Sequence, residues 1–387
     1  MGVGRRFYFD WANYRTMLRL LREEPNPVRR RKMFCAFLIG LPVIAAIHAI
    51  CFALDPILFP SLRRTQVREP TFCVGHARSG TTYLHRLMAK DPQFSYVLMY
   101  EMFFPSLLEK RLLRLLFRID DVFGKRLRHK LDALEQHAFA ETNDMHKTGF
   151  FAPEEDDFLL TWSLGSGFWI VMFPYMGELD FYHVDRWSER KRRRMMTFYK
   201  ECVRRQIALN GGGIHLSKNP TFCGRVEALI ETFPDARFVV PVRNPYETIP
   251  SLLKMLQKEW TLRGRDDQLI KNSLRILADQ SFDAYEHPLE VLARHPETRS
   301  CVIDYRDLVS QPAVTMRRVY DELELELGSA AAIAIDTAQG QGHESAHRYS
   351  LEEFGLDPHE IYTELATLFE RFHWSDSDTE GEDARVN

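Results

Sequence analysis

The tightest constraint on this chain is an eight-residue turn, Gly75-His76-Ala77-Arg78-Ser79-Gly80-Thr81-Thr82, that follows the short apolar run Thr71-Phe72-Cys73-Val74. It is one residue away from the phosphate-cradling pattern G-x-x-x-x-G-K-[ST]: Thr81 stands at the lysine position. Tyr83, Leu84, Leu87 and Met88 continue at helical spacing, so the segment predicts a strand, a tight turn and a helix. Backbone N–H groups at the start of such a helix can hold an anion. Without a lysine to reach the β- and γ-phosphates, ATP or GTP hydrolysis and P-loop kinase chemistry are not expected.

A second block carries anion chemistry further along. Leu216-Ser217-Lys218-Asn219-Pro220 leads into a helical pattern, and Phe233-Pro234-Asp235-Ala236 reads as a turn. A buried strand, Arg237-Phe238-Val239-Val240-Pro241-Val242, then ends in Arg243-Asn244-Pro245. Ser251 lies two helical turns past Arg243, so a guanidinium and a hydroxyl can meet one phosphate.

Together the two blocks resemble the sulfotransferases that use 3′-phosphoadenosine 5′-phosphosulfate (PAPS). The turn resembles their 5′-phosphosulfate loop, and the second block their 3′-phosphate module. Asn244 departs from the aspartate that relatives often carry. Val302-Ile303-Asp304-Tyr305-Arg306-Asp307-Leu308 and His347-Arg348-Tyr349-Ser350-Leu351-Glu352-Glu353-Phe354-Gly355-Leu356 extend the resemblance over roughly residues 68 to 372. The last of these is similar to a motif of a branch found in bacteria and some microbial eukaryotes. The resemblance implies that Arg78, Ser79, Gly80, Thr81 and Thr82 bind the 5′-phosphosulfate, and that Arg243 and Ser251 take the 3′-phosphate. It also implies that Arg348 closes over that phosphate and that Arg78 and Lys218 neutralise charge on the moving sulfuryl group. Glu101, 19 residues past Thr82, matches the placement of the catalytic glutamate in the tyrosylprotein type. Glu154 and Glu155, in Pro153-Glu154-Glu155-Asp156-Asp157, and the histidines His76 and His146 are its rivals as general base. No metal is required, and no Asp-rich magnesium site is evident.

Length and composition allow one large α/β domain over residues 68–373, with a central parallel sheet, helices on both faces and the ligand at the carboxyl ends of the strands. The expected units are strands near 214–217, 237–242 and 299–304, and helices over 5–24, 79–90, 105–140, 188–209, 221–232, 245–257 and 265–294. The aromatic stretch 158–182 reads either as a helical lid or as an acceptor pocket. The net charge of −3 gives no bulk basic character for nucleic acid. None of the six cysteines forms a C-x-x-C pair, which argues against a zinc or disulfide framework.

Residues 1–67 form a separate cationic and apolar segment. Nine Lys/Arg against three acids fall in residues 1–32, and residues 33–54 hold no charged side chain over 22 positions. That length suits a membrane span, an interfacial helix pair or a helix buried on the enzyme, and the sequence leaves the three open. A membrane-associated enzyme with its catalytic domain on the cytoplasmic side is expected, since sequons and disulfides are not evident. Its acceptor is expected to be a hydroxylated hydrophobic molecule or lipid. A lumenal carbohydrate or glycolipid sulfotransferase and an inactive nucleotide-binding membrane scaffold are the alternatives. Oligomeric state is not legible. The tail 374–387 carries five acids against one arginine after Trp374 and reads as disordered.

Overall fold

The computed structural model describes residues 7–131, 149–338 and 350–374. His146, Arg348 and all but the first residue of the 374–387 tail lie outside them. The chain divides into two compact units that interleave in sequence. The first comprises Met1–Pro70, Gln93–Gly167 and Trp187–Ser217; the second comprises Thr71–Pro92, Phe168–Arg186 and Lys218–Asn387.

The second unit holds three parallel strands: β1 (Thr71–Cys73), β4 (Arg237–Val242) and β5 (Ser300–Asp304). Phe72 pairs with Phe238, and Val239 with Cys301. Every residue of β1 and β4 is buried, which explains their unbroken apolar reading rather than an alternating one. Phe72 sits at the centre, stacked on Phe238 at 5.6 Å and tilted against Phe233 at 5.5 Å. Pro241 is tolerated inside β4 by register. Phe238 donates its N–H towards β5, whereas Val239 accepts from Val74 on the β1 side. By alternation the missing donor at Pro241 faces the β1 side, beyond the last paired residue, Cys73. There the backbones come so close that a Cβ on Gly75 would lie 2.5 Å from the Pro241 oxygen.

Helix α4 (Thr81–Met88) leaves the end of β1. Helices α8 (Pro245–Leu262) and α9 (Asp267–Arg294) carry the chain from β4 to β5, and α10 (Pro312–Glu322) follows β5. Pro245 at the first turn and the Asn244 side chain, which accepts from the Tyr246 N–H, start α8 directly after Arg243.

The first unit pairs β2 (Phe94–Ser95) in parallel with β3 (Ile214–Lys218, of which Lys218 is counted with the second unit) and packs helices α1 (Trp11–Glu23), α2 (Pro27–Cys35), α3 (Leu41–Leu58), α5 (Leu107–Val122) and α6 (Glu189–Asn210). A π-helical turn, Ala36–Gly40, joins α2 to α3 into one helix of 32 residues, Pro27–Leu58, long and apolar enough to cross a membrane. This turn lies just ahead of Pro42, whose ring nitrogen cannot donate. The core of this unit is partly ionic. Arg205 is buried with its Nε 2.7 Å from Asp55 Oδ2 and its guanidinium 3.4 Å from the Phe52 ring centroid. Asp55 also accepts from Ser106 Oγ and from the N–H groups of Leu107 and Leu108, which caps α5.

Most expected elements are present with shifted ends. The region 158–182 is instead a 3-10 segment, Asp156–Ser163, and a single turn, Trp169–Met172. Between them Ser166 and Gly167 donate to the buried Asp157 carboxylate, a loop closure that hydrophobic periodicity does not register. Residues 7–67 are integrated into the first unit rather than hanging from it. In the expected helix 221–232 the first part is 3-10, Pro220–Arg225, and only the rest, α7 (Val226–Thr232), is α-helical.

Candidate active site

The turn after β1 brings backbone donors together through two left-handed residues. Gly80 has φ 83° and Arg78 has φ 75°. For arginine this conformation costs free energy and persists only where neighbours hold it. The neighbours are the second block. Arg78 Nε donates to Ser251 Oγ at 3.1 Å across 173 positions of sequence, and Arg243 Nη1 lies 3.5 Å from the Arg78 carbonyl oxygen. The two anion-binding patterns thus meet in one place within the second unit. Helix α4 starts at Thr81, so Thr81 and Thr82 contribute first-turn N–H groups to it.

Tyr305 follows β5 and completes this corner. A Cβ at Gly80 would fall 2.5 Å from its ring, and the Arg243 guanidinium lies 4.5 Å from its centroid. Gly80 is therefore required twice, for its positive φ and for the tyrosine against it. Tyr285 braces the opposite side. Its hydroxyl donates to the Arg243 carbonyl at 2.7 Å and shares a hydrogen bond with Thr248 Oγ1, while its ring stacks on His76 at 5.0 Å. Burial holds the His76 pKa down at about 4, so the ring is neutral near pH 7. Its Nδ1–H then donates to the Ala77 carbonyl at 2.6 Å, and Nε2 is buried with no partner among the described residues.

Lys218 ends β3 and is buried. Next to it, the Asn219 N–H donates to the Cys73 carbonyl at 3.2 Å, which ties this position to the end of β1 where the turn begins. Arg243 itself is paired with Glu247, one turn into α8, through Nε at 2.9 Å. A phosphate bound at Arg243 would compete with that carboxylate. Glu247 is half exposed, so the pair is weak and Glu247→Gln is expected to tighten adenosine 3′,5′-bisphosphate binding about two- to fivefold by calorimetry.

The candidate bases occupy different settings. Glu101 is fully buried in the first unit. Its carboxylate receives Arg114 Nε at 2.7 Å and Gln206 Nε2 at 2.9 Å. Burial alone would raise its pKa, but the Arg114 hydrogen bond and the charges of Lys110 and Arg114 prevail and hold it below the ordinary range. In this conformation Glu101 is a core anchor, without the exposure that a base for an incoming hydroxyl requires. In Pro153-Glu154-Glu155-Asp156-Asp157 the two aspartates are buried. Asp156 accepts from Ser217 Oγ at 2.7 Å and Tyr199 OH at 2.5 Å and lies 2.8 Å from His215 Nε2. Burial opposes its charge, but these contacts outweigh it and bring the pKa to about 2. Glu154 and Glu155 are only half-buried.

The sequence pattern that defines the sulfotransferase family matches residues 70–329, two thirds of the chain. The chain belongs to that family. The ω-hydroxy-β-dihydromenaquinone-9 sulfotransferase Stf3 of Mycobacterium bovis is 26% identical over 264 residues, which cover 66% of this chain and 63% of that protein. The match thus spans less than two thirds of the curated relative's length. The same-named protein of Mycobacterium tuberculosis matches equally. The crystal structure of sulfotransferase STF9 from Mycobacterium avium superimposes with a TM-score of 0.67 at 20% identity, over 95% of this chain and 93% of that one. STF1 from M. tuberculosis gives a TM-score of 0.61 at 20% identity, over 86% and 87%. The fold is therefore the α/β sulfotransferase fold with parallel strands.

Among the residues expected from sequence, Arg78, Gly80, Arg243 and Ser251 converge in the second unit, with Ser79, Thr81 and Thr82 on the same turn and helix start. Tyr285 and Glu247 were not anticipated. Glu247 was readable as the acid four residues after Arg243, on the same helical face. Tyr285 had no local signal, since its role depends on how α9 lies against α8. The late motif is described from Ser350 onwards. Its Glu353 is bonded to Lys254, one turn past Ser251 on α8.

Proposed function

We propose that this chain transfers a sulfuryl group from PAPS to the hydroxyl of a hydrophobic, lipid-like acceptor. The contact between Arg78 and Ser251 carries the reading, because it joins the residue expected at the 5′-phosphosulfate to the one expected at the 3′-phosphate. The name of the M. bovis relative supports a lipid-like acceptor, an ω-hydroxylated menaquinone derivative in that protein.

In this reading the N–H groups of Gly80, Thr81 and Thr82 and the hydroxyls of Ser79, Thr81 and Thr82 hold the 5′ end, and Arg243 and Ser251 hold the 3′-phosphate. The acceptor oxygen forms a bond to sulfur as the bond from sulfur to the bridging phosphate oxygen breaks. The sulfate ester and adenosine 3′,5′-bisphosphate leave, and the acceptor proton passes to a base. By analogy with phosphoryl transfer, the barrier falls mainly through positioning and through charge stabilisation by Lys218 and Arg78. No metal is invoked. We place the base in the pair Glu154 and Glu155, which are half-buried, whereas the carboxylates of Asp156, Asp157 and Glu101 are shut off from an incoming hydroxyl by burial. The chain is membrane-associated, with its active site facing the cytoplasm.

Transfer of label from PAPS to a membrane lipid extract by the purified full chain tests the activity; no labelled lipid and no labelled small alcohol would sink it. Single Gln substitutions assign the base. One of Glu154→Gln and Glu155→Gln is expected to lower kcat about 10²- to 10⁴-fold with an unchanged melting temperature. Glu101→Gln is expected to lower the melting temperature and leave kcat of the folded fraction within a fewfold. The reverse pattern would return the role to Glu101.

A further inference from the structure

Helix α3, taken with the π-helical turn that leads into it, is two-faced in a way its composition conceals. Phe37, Leu41, Ala45, His48, Phe52 and Asp55 are buried, at intervals of three and four residues. Ile39, Val43, Ile47, Ile50, Leu54 and Ile57 recur at the same intervals on the other side and are exposed. The buried side is bound by polar contacts that a helix standing alone in lipid would forfeit. His48 Nδ1 lies 2.7 Å from Glu109 Oε1, and Asp55 holds Arg205 and caps α5. Pulling α3 into a bilayer as a span would strip these partners from His48 and Asp55, leaving Arg205 buried with one carboxylate fewer.

Its neighbour has a matching feature. On α5 the side chains of Lys110, Phe117 and Asp120 turn inwards, while Leu112, Leu115, Leu116, Ile119 and Val122 are exposed. The two helices are joined at several points: the Asp55 cap, the His48–Glu109 pair, and Arg111 stacked 4.3 Å over the ring of Phe59 just past the end of α3. Eleven large apolar side chains on two adjoining helices thus face outwards. That exceeds the scattered apolar exposure normal for a soluble surface.

The charges decide what covers them. Arg30, Arg31 and Lys32 are exposed at one end of the helix, and Arg63 and Arg64 just past the other. Arg111 and Arg118 are exposed among the α5 leucines. A spanning helix concentrates its cations on one side of the membrane, whereas cations at both ends suit a helix lying in the interface. A second copy of the chain docked by two-fold symmetry would bring cationic rims together. Anionic headgroups complement every one of them.

We propose that α3 and α5 together form a surface that docks in plane on an anionic bilayer, so that the long apolar helix lies on the membrane rather than through it. This does not depend on the sulfuryl-transfer reading. The full chain is tested by flotation with phosphatidylcholine vesicles with and without phosphatidylglycerol. The expected result is recovery with the anionic vesicles, weakened by salt and reversed by an alkaline carbonate wash. Ile47→Glu with Ile50→Glu, and separately Leu115→Glu with Leu116→Glu, are each expected to cut the bound fraction about tenfold or more, with melting temperatures near wild type. If a glutamate pair melts early, a serine pair at the same positions replaces it. Retention after the carbonate wash would mean a span and overturn the proposal. So would loss of binding with the α3 pair alone, or dimerisation without vesicle binding.

Discussion

Lys218→Met is expected to lower kcat for sulfuryl transfer by about 10²- to 10³-fold while leaving the melting temperature within a few degrees. Methionine keeps the straight apolar stem of the buried side chain and removes the ammonium group. The position is fixed from both directions, by β3 before it and by the Asn219 N–H bonded to Cys73 after it, so the backbone should not relax into the gap. A cation that stabilises only the charge developing on the departing oxygens affects kcat more than KM. Single-turnover transfer from PAPS, measured beside equilibrium binding of adenosine 3′,5′-bisphosphate, separates the two. A drop in binding equal to the drop in rate would mean that Lys218 serves the ground state alone.

The second large effect is on stability. Asp55→Ala is expected to cost about 3–5 kcal/mol. The carboxylate is buried and accepts from Ser106 Oγ, the Leu107 and Leu108 N–H groups and Arg205 Nε. Its removal leaves Arg205 buried with Glu201 as the one remaining carboxylate partner among the described residues, and α5 loses its cap at the same time. Denaturant unfolding should show the loss directly. The double variant Asp55→Ala with Arg205→Met should recover part of it, because the uncompensated charge goes as well. A single variant within 1 kcal/mol of wild type would mean that α3 is not anchored to the first unit as described.

The sequence carried the second unit well, and the reason lies in particular residues. Gly80 and Arg243 sit where a turn and a strand end must be, and the apolar runs of β1 and β4 are buried on both faces, so local pattern and tertiary role agree. The meeting of Arg78 with Ser251 has a sequence signal as well, since both belong to patterns with fixed spacing. Other parts depend on what lies far away in sequence. Strand β2 is two residues long and exists because Phe94 and Ser95 pair with Ile214 and His215. The 22 uncharged residues 33–54 gave length and apolarity but not direction. Only the packing of His48 and Asp55 against Glu109, Ser106 and Arg205 distinguishes an anchored face from an exposed one. Glu101 was read from its distance to the loop, and spacing cannot reveal that Arg114, thirteen residues later, reaches back to it.

Binding of the desulfated product tests the central claim most directly. Purified full chain is titrated by calorimetry with adenosine 3′,5′-bisphosphate and with ADP, in wild type and in Arg243→Ala. A site built from Arg243 and Ser251 for a 3′-phosphate should prefer the bisphosphate, and the substitution should cost about 2 kcal/mol or more, with little change for ADP. Equal, weak binding of both nucleotides in wild type would contradict the assignment of this corner to PAPS and leave a nucleotide-binding scaffold without the chemistry.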